Sequence, residues 1–204
     1  ESHIPYDNHF FRGETSLPVS AYELEDILNI TRRNAELSVA TQSAPTSSLI
    51  CLDGSLRTFN NHELKLMQEL QSNCRTRGVL LAGLQKTTGL LTDSGESLQA
   101  LKRDAPQKAW ISTPLCNNTN EKHPATIHAT KLHEQARHVF VIDVMEEIST
   151  RTVLDELSSN ACDPVFLGYP YGLIDADRIA RVEESERENY RLHVRKLAGK
   201  HNNF

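Results

Sequence analysis

Along residues 21–41 the apolar positions Leu24, Ile27, Leu28, Ile30, Ala35, Leu37 and Ala40 recur near helical spacing, while Glu23, Glu25 and Asp26 stand in the first turns, where the helix dipole favours anions. This pattern predicts a helix over 21–41, capped by Ser20. A breaker run at 43–48 then leads into Leu49-Ile50-Cys51-Leu52, apolar on both parities, which predicts a strand buried on both faces and ended by Asp53-Gly54-Ser55. A second helix is predicted over 61–75, with Leu64, Met67 and Leu70 on one face, and Gly78 stops it. Val79 to Leu84 repeats the two-sided apolar pattern. Strand, helix, strand in this order is the rhythm of a parallel or mixed sheet.

Residues 89–125 are polar, contain Pro106, Pro114 and Pro124 and one helical piece at 97–102, and read as a mobile excursion. Residues 126–132 and 138–144 predict two strands joined as a hairpin, with 149–161 a helix, 165–167 a short buried strand and 174–200 a long charged helix. Residues 1–18, with Pro5, Gly13 and Pro18, suit an irregular lead-in. No repeat or low-complexity tract appears, and 204 residues suffice for one α/β domain with a genuine core.

Composition removes several classes of function. Hydrophobic residues are 38% of the chain, and no apolar run approaches the roughly eighteen residues of a membrane span. The net charge of -5 means that contact with nucleic acid must rest on a local basic patch. Cys51, Cys74, Cys116 and Cys162 form no C-x-x-C pair, which points to small buried thiols in a reducing cytoplasm. His128, His133 and His138 are spaced by five, outside any zinc pattern, and most of the nine histidines read as surface residues. No Ser-His-Asp order, P-loop or dinucleotide fingerprint supports acyl transfer or nucleotide hydrolysis, so an ATPase would have to be a partner.

The candidate chemistry is carboxylate chemistry. Asp53 ends a buried strand, where open α/β sheets place their ligand sites, although Asp-Gly is equally a turn-former. A phosphodiester nuclease needs several carboxylates around hard divalent ions, and Asp53 could supply one ligand. Glu36 lies on the preceding helix, which loop 41–48 could fold back so that its C-terminal half faces Asp53; a solvated helix glutamate is the alternative. Lys86, at the end of the second strand, is placed to meet a phosphate or simply to be solvated. Asp143 interrupts an apolar run and could join the acidic cluster, or serve as a turn or cap residue. Arg178, Arg181, Arg187, Arg191, Arg195 and Lys196 alternate with acids, as on a salt-laced solvent face or the wall of a DNA channel.

Three motifs in order carry a resemblance: Leu52-Asp53-Gly54-Ser55-Leu56; Ala82-Gly83-Leu84-Gln85-Lys86-Thr87; and Gly168-Tyr169-Pro170-Tyr171-Gly172-Leu173-Ile174-Asp175-Ala176-Asp177-Arg178-Ile179-Ala180-Arg181-Val182. With Lys131-Leu132-His133 and Val139-Phe140-Val141-Ile142-Asp143 between them, the chain resembles the C-terminal two-thirds of the NurA nuclease family over roughly residues 20–197, least in 89–125. The resemblance implies a ribonuclease-H-like mixed sheet flanked by helices and a single nuclease domain over 1–204. It also implies Mn²⁺-dependent (or Mg²⁺-dependent) processing of DNA ends, a homodimer, and partnership with the hexameric helicase-translocase HerA. Carried over by position, Glu36, Asp53 and Asp177 are metal ligands and, with Tyr169 of the Gly-Tyr-Pro motif, catalytic residues, Asp177 standing where many family members carry His; Tyr169 would also meet DNA beside Lys86, although an aromatic packed in the Pro170 turn is the alternative. Asp offers an anionic oxygen but no proton relay near neutral pH.

The family has a further catalytic aspartate on an N-terminal strand, and residues 1–18 hold no apolar strand ending in Asp; Asp7, after Pro5-Tyr6, is a poor match. The chain also begins at Glu1 rather than Met, with no signal peptide, and so reads as a fragment whose first strand is truncated. The alternative is a catalytically degenerate NurA-like module that serves as a dimeric scaffold for a helicase. An enzyme acting on RNA or a hybrid is a third reading, on which no residue reports.

Overall fold

A computed structural model describes residues 21–87, 89–91, 95–103, 105–115, 120, 122–145 and 149–201. Helix α1 (Ala21–Ser43) runs two residues past the predicted end and passes into a 3-10 turn, Ala44–Thr46, with Pro45 in its first positions. Strand β1 (Leu49–Asp53) follows, then α2 (Asn61–Arg77) and β2 (Leu80–Gln85). The Asn60 side chain caps α2 by accepting the Glu63 N–H, and Gly78 closes it at φ 68°, a left-handed angle that glycine adopts without strain. β1 and β2 pair in parallel, as the two-sided apolar runs predict.

The predicted hairpin is present as β4 (Ala125–Lys131) and β5 (Phe140–Met145), paired antiparallel. β5 also pairs antiparallel with β2, and the stretch read as an excursion contributes the edge strand β3 (Trp110–Ile111) and a 3-10 helix, Leu98–Arg103. Gln99 fastens that helix by donating to the Val139 carbonyl at 2.7 Å and accepting the Val139 N–H at 2.9 Å. The strand order is β1-β2-β5-β4-β3, so β1 is an outermost strand among the described residues.

Each face of the sheet carries its own core. Ile50 and Leu52 of β1 pack with Leu37 and Ala40 of α1 and Met67, Leu70 and Cys74 of α2. On the other side Leu49 and Cys51 meet Val153 and Leu157 of α3 (Thr150–Ser159) and Leu173 of α4 (Tyr171–Ala180). Removing such a large apolar side chain from water contributes about 1.5–3 kcal/mol. This helix–sheet–helix sandwich is why both parities of β1 and β2 are apolar.

Two expectations are corrected. Residues 165–167 form no strand: the Asp163 side chain accepts the Val165 and Phe166 N–H groups at 2.8 and 3.1 Å, turning the chain, and Val165 is 79% exposed. The single helix predicted over 174–200 is two, α4 and α5 (Glu184–His201), broken where Arg181 turns extended at ψ 117°. The described α5 side chains are all exposed and tied along the helix, Arg187 to Glu184 and Arg191 to Glu184 and Glu188, as on a salt-laced solvent face. Ser20, Asp7 and Cys116 lie outside the described residues; Cys51 is half-buried, Cys74 buried and Cys162 exposed, and all three are free thiols. Among the described residues no helix is long and apolar enough to cross a membrane.

Candidate active site

Strand parity decides where Asp53 points. Leu49, Cys51 and Asp53 share the face covered by α3 and α4, and Asp53 stands where that cover ends, its side chain 43% exposed. Two groups meet its carboxylate. Lys86 Nζ, just past β2, donates at 2.9 Å, and the Tyr169 hydroxyl lies 3.4 Å away, a long contact. The Lys86 ammonium also sits 5.0 Å from the Tyr169 ring centroid, within cation–π range. The ring packs at 5.6 Å on Phe140 of β5. Gly168, at φ 87°, lets the chain enter this turn, and a Cβ there would collide with the Ala136 side chain.

Burial, and then the Asp53 charge, push the Tyr169 phenol up to about 12, only partly offset by Lys86. Burial acts to lower the Lys86 ammonium, but its bonds to Asp53 and Tyr169 prevail and the net direction is upward. Through the neutral range the site thus presents a protonated phenol and a protonated amine beside an exposed carboxylate. An absorbance titration is expected to show one phenol, absent in Tyr169→Phe, ionising near 12. Asp53→Asn removes a raising charge, so that midpoint should fall; an unchanged midpoint contradicts the contact.

Glu36 approaches from α1. Its carboxylate accepts Arg33 Nη1 at 2.8 Å, and the same guanidinium donates to the Ser55 carbonyl at 2.6 Å and lies 3.4 Å from Glu63. Arg33 thereby ties α1 to the turn that follows Asp53. α1 belongs to the opposite layer from Asp53, and β1, between them, is the outermost strand of the described sheet. The Cys51 thiol is pushed up to about 12 by burial first, and then by the charges of Asp53 and Glu36. Each carboxylate has its own cation partner, Arg33 on Glu36 and Lys86 on Asp53. Among the described residues no group of three or more His, Cys, Asp and Glu is gathered as a metal site.

The other sequence candidates fall elsewhere. Asp177 lies one turn beyond buried Leu173 on α4, but its carboxylate is 62% exposed and pairs with Arg181 at 3.0 Å, with no bond to Asp53, Lys86 or Tyr169. Asp143 does not join the acidic cluster. It points to the α1–α2 side, fully buried, and accepts from Ser55, Leu56 and Gln85, with His123 Nε2 3.1 Å from it. It is neither a turn nor a cap residue. Sequence reasoning missed Arg33 and His123 altogether and saw Ser55 only as part of a motif; for Asp143 the available signal was a lone carboxylate inside an apolar run with no turn residue after it. Against the surface reading of most histidines, His128 is 2% exposed, its ring nitrogens 2.9 Å from the Ser112 carbonyl and the Thr126 hydroxyl. A cavity of about 270 Å³, lined by Gln71, Cys74, Leu80 and Met145, lies at the opposite end of the strands from Asp53.

The sequence matches no family model and no curated protein. Among solved structures the chain is similar to the NurA nuclease from Sulfolobus solfataricus, at 19% identity and a TM-score of 0.59, over 84% of this chain and 67% of that one. It is also similar to the catalytic domain of human endonuclease V, at 16% identity and a TM-score of 0.44 over 80% of this chain and 60% of that one. A structure of human ENDOV gives the same identity and TM-score over 90% and 69%. The chain therefore has a NurA-like fold, a ribonuclease-H-like mixed sheet flanked by helices.

Proposed function

We propose that this chain is a metal-dependent nuclease of the NurA type that processes DNA ends, as a cytoplasmic homodimer working with a HerA-like hexameric ATPase. The observation that carries the reading is Asp53: an exposed carboxylate at the carboxyl end of a buried strand, with a lysine and a tyrosine on it and a second carboxylate, Glu36, tied through Arg33 to the turn that follows it. Its all-oxygen donor pair suits Mn²⁺ or Mg²⁺, hard cations that need only one or two carboxylates when water and substrate phosphate complete the shell. Glu36 and Asp53 would hold the ion, with Asp177 joining them by leaving Arg181. A bound cation of this kind supplies charge neutralisation at phosphorus and a more acidic water. The chain's own groups do the rest. Lys86 meets a phosphate as a point charge, and Tyr169, kept protonated, donates to a phosphate oxygen.

A second reading is favoured by one observation: each carboxylate already has a side-chain cation, Arg33 on Glu36 and Lys86 on Asp53, as in a site that has lost its metal. On that reading the fold is a dimeric scaffold for a helicase partner. Incubation of the full chain with single-stranded DNA, duplex DNA and RNA, in Mn²⁺, Mg²⁺ and EDTA, separates them. Cleavage of DNA that EDTA stops supports the nuclease. Intact DNA in every buffer, with no thermal shift on adding Mn²⁺, supports the scaffold, and cleavage of RNA alone contradicts both.

A further inference from the structure

Asp143 stands in the middle strand of the sheet with 0% exposure, yet four donor groups converge on its carboxylate. Ser55 Oγ donates to Oδ2 at 2.7 Å and Leu56 N at 2.8 Å; His123 Nε2 lies 3.1 Å from the same oxygen, and Gln85 Nε2 donates to Oδ1 at 3.1 Å. A carboxylate has about four lone-pair sites, and four groups crowd this one, three of them on Oδ2, so its hydrogen bonding is met within the fold. Its donors come from three separate pieces of chain: the turn after β1, the end of β2, and the residue two before β4. Two of the four belong to the turn that begins directly after Asp53.

That turn has little freedom. Gly54, at φ 131°, donates its N–H to the Leu84 carbonyl at 2.9 Å and swings the chain from the α3–α4 face to the α1–α2 face. The chain then crosses so close over Gly83 that a Cβ there would collide with the Gly54 carbonyl oxygen. Asp143 holds the crossing from the sheet side through Ser55 and Leu56, and Arg33 holds it from α1 through the Ser55 carbonyl. The same Arg33 carries Glu36. One buried carboxylate thus lies beneath the piece of backbone to which both candidate ligands are tied.

We infer that Asp143 is a positioning residue: by gripping Ser55 and Leu56 it fixes the turn that aims Asp53 at Lys86 and Tyr169. The inference rests on the proposed nuclease only for its catalytic meaning. The geometric claim is tested by acylating the full chain with an amine-reactive ester and following Lys86 by peptide mass spectrometry in wild type, Ser55→Ala, Asp143→Asn and Asp53→Asn, with circular dichroism confirming that each is folded. Asp53→Asn defines the rate of a lysine that has lost its carboxylate. Ser55→Ala and Asp143→Asn are expected to move Lys86 several-fold toward that rate, and to weaken Mn²⁺ binding by calorimetry about tenfold. A role limited to stability would lower the unfolding midpoint and leave Lys86 in the folded protein unchanged, and that result overturns the inference. Ser55→Ala decides the matter if Asp143→Asn does not fold. Should wild type bind no Mn²⁺, the nuclease reading falls, while the Lys86 rates still judge Asp143.

Discussion

Asp53→Asn is expected to reduce metal-dependent DNA cleavage by at least about 100-fold, since altering even a residue that only orients a metal ligand costs up to that much. The substitution keeps the shape of the side chain but removes the charge, so it should abolish the Mn²⁺-induced rise in unfolding midpoint along with cleavage. It should leave the protein folded. Asp53 is 43% exposed, and changes at such positions usually stay within about 0.5 kcal/mol. This combination, lost activity with retained stability, separates a site residue from a turn-former, whose replacement would do the reverse. Cleavage in Asp53→Asn at the wild-type rate would return Asp53 to the role of a turn residue.

Gly83→Ala carries the largest expected loss of stability. The Cβ it adds would meet the Gly54 carbonyl oxygen and press on the Leu56 nitrogen and side chain at 3.1 and 3.2 Å, and two of these neighbours are backbone, Leu56 held by Asp143 and Gly54 by its N–H bond to the Leu84 carbonyl. Those two backbone groups cannot turn away as a flexible side chain would. Overpacking of this kind costs up to about 3 kcal/mol, which for a chain of this size lowers the unfolding midpoint by roughly 6–12 °C. Thermal denaturation followed by circular dichroism checks it. A midpoint within a degree of wild type would mean that the turn does not cross β2 as described.

The parallel pair β1 and β2, the helix between them and the β4–β5 hairpin were legible because each follows from a local pattern. Two-sided apolar runs mark strands sandwiched between layers, and Gly78 gives a helix stop that needs no distant partner. Residues 165–167 were misread because Val165-Phe166-Leu167 is apolar in composition while its conformation is set by the side chain of Asp163. The break between α4 and α5 was equally hidden, since charges alternate across it without proline or glycine. At the site, Asp53 and Lys86 were visible as the last residue of one apolar run and the first charge after another. Their salt bridge depends on the strands being parallel and adjacent, which the β–α–β rhythm already suggested. Tyr169 came from the family resemblance, and its contact with Asp53 spans 116 positions that no periodicity connects. The grip of Asp143 on Ser55 also joins distant segments, and it is tertiary in origin: a lone aspartate in an apolar strand signals a buried partner without naming it.

The most direct measurement is anomalous diffraction from crystals of the chain soaked in Mn²⁺. The account predicts a peak at the open edge of β1 within coordination distance of both the Glu36 and Asp53 carboxylates, with Arg33 or Lys86 displaced from at least one of them. A peak on Asp53 alone with Glu36 still paired to Arg33, or no peak at that edge at millimolar Mn²⁺, would contradict it.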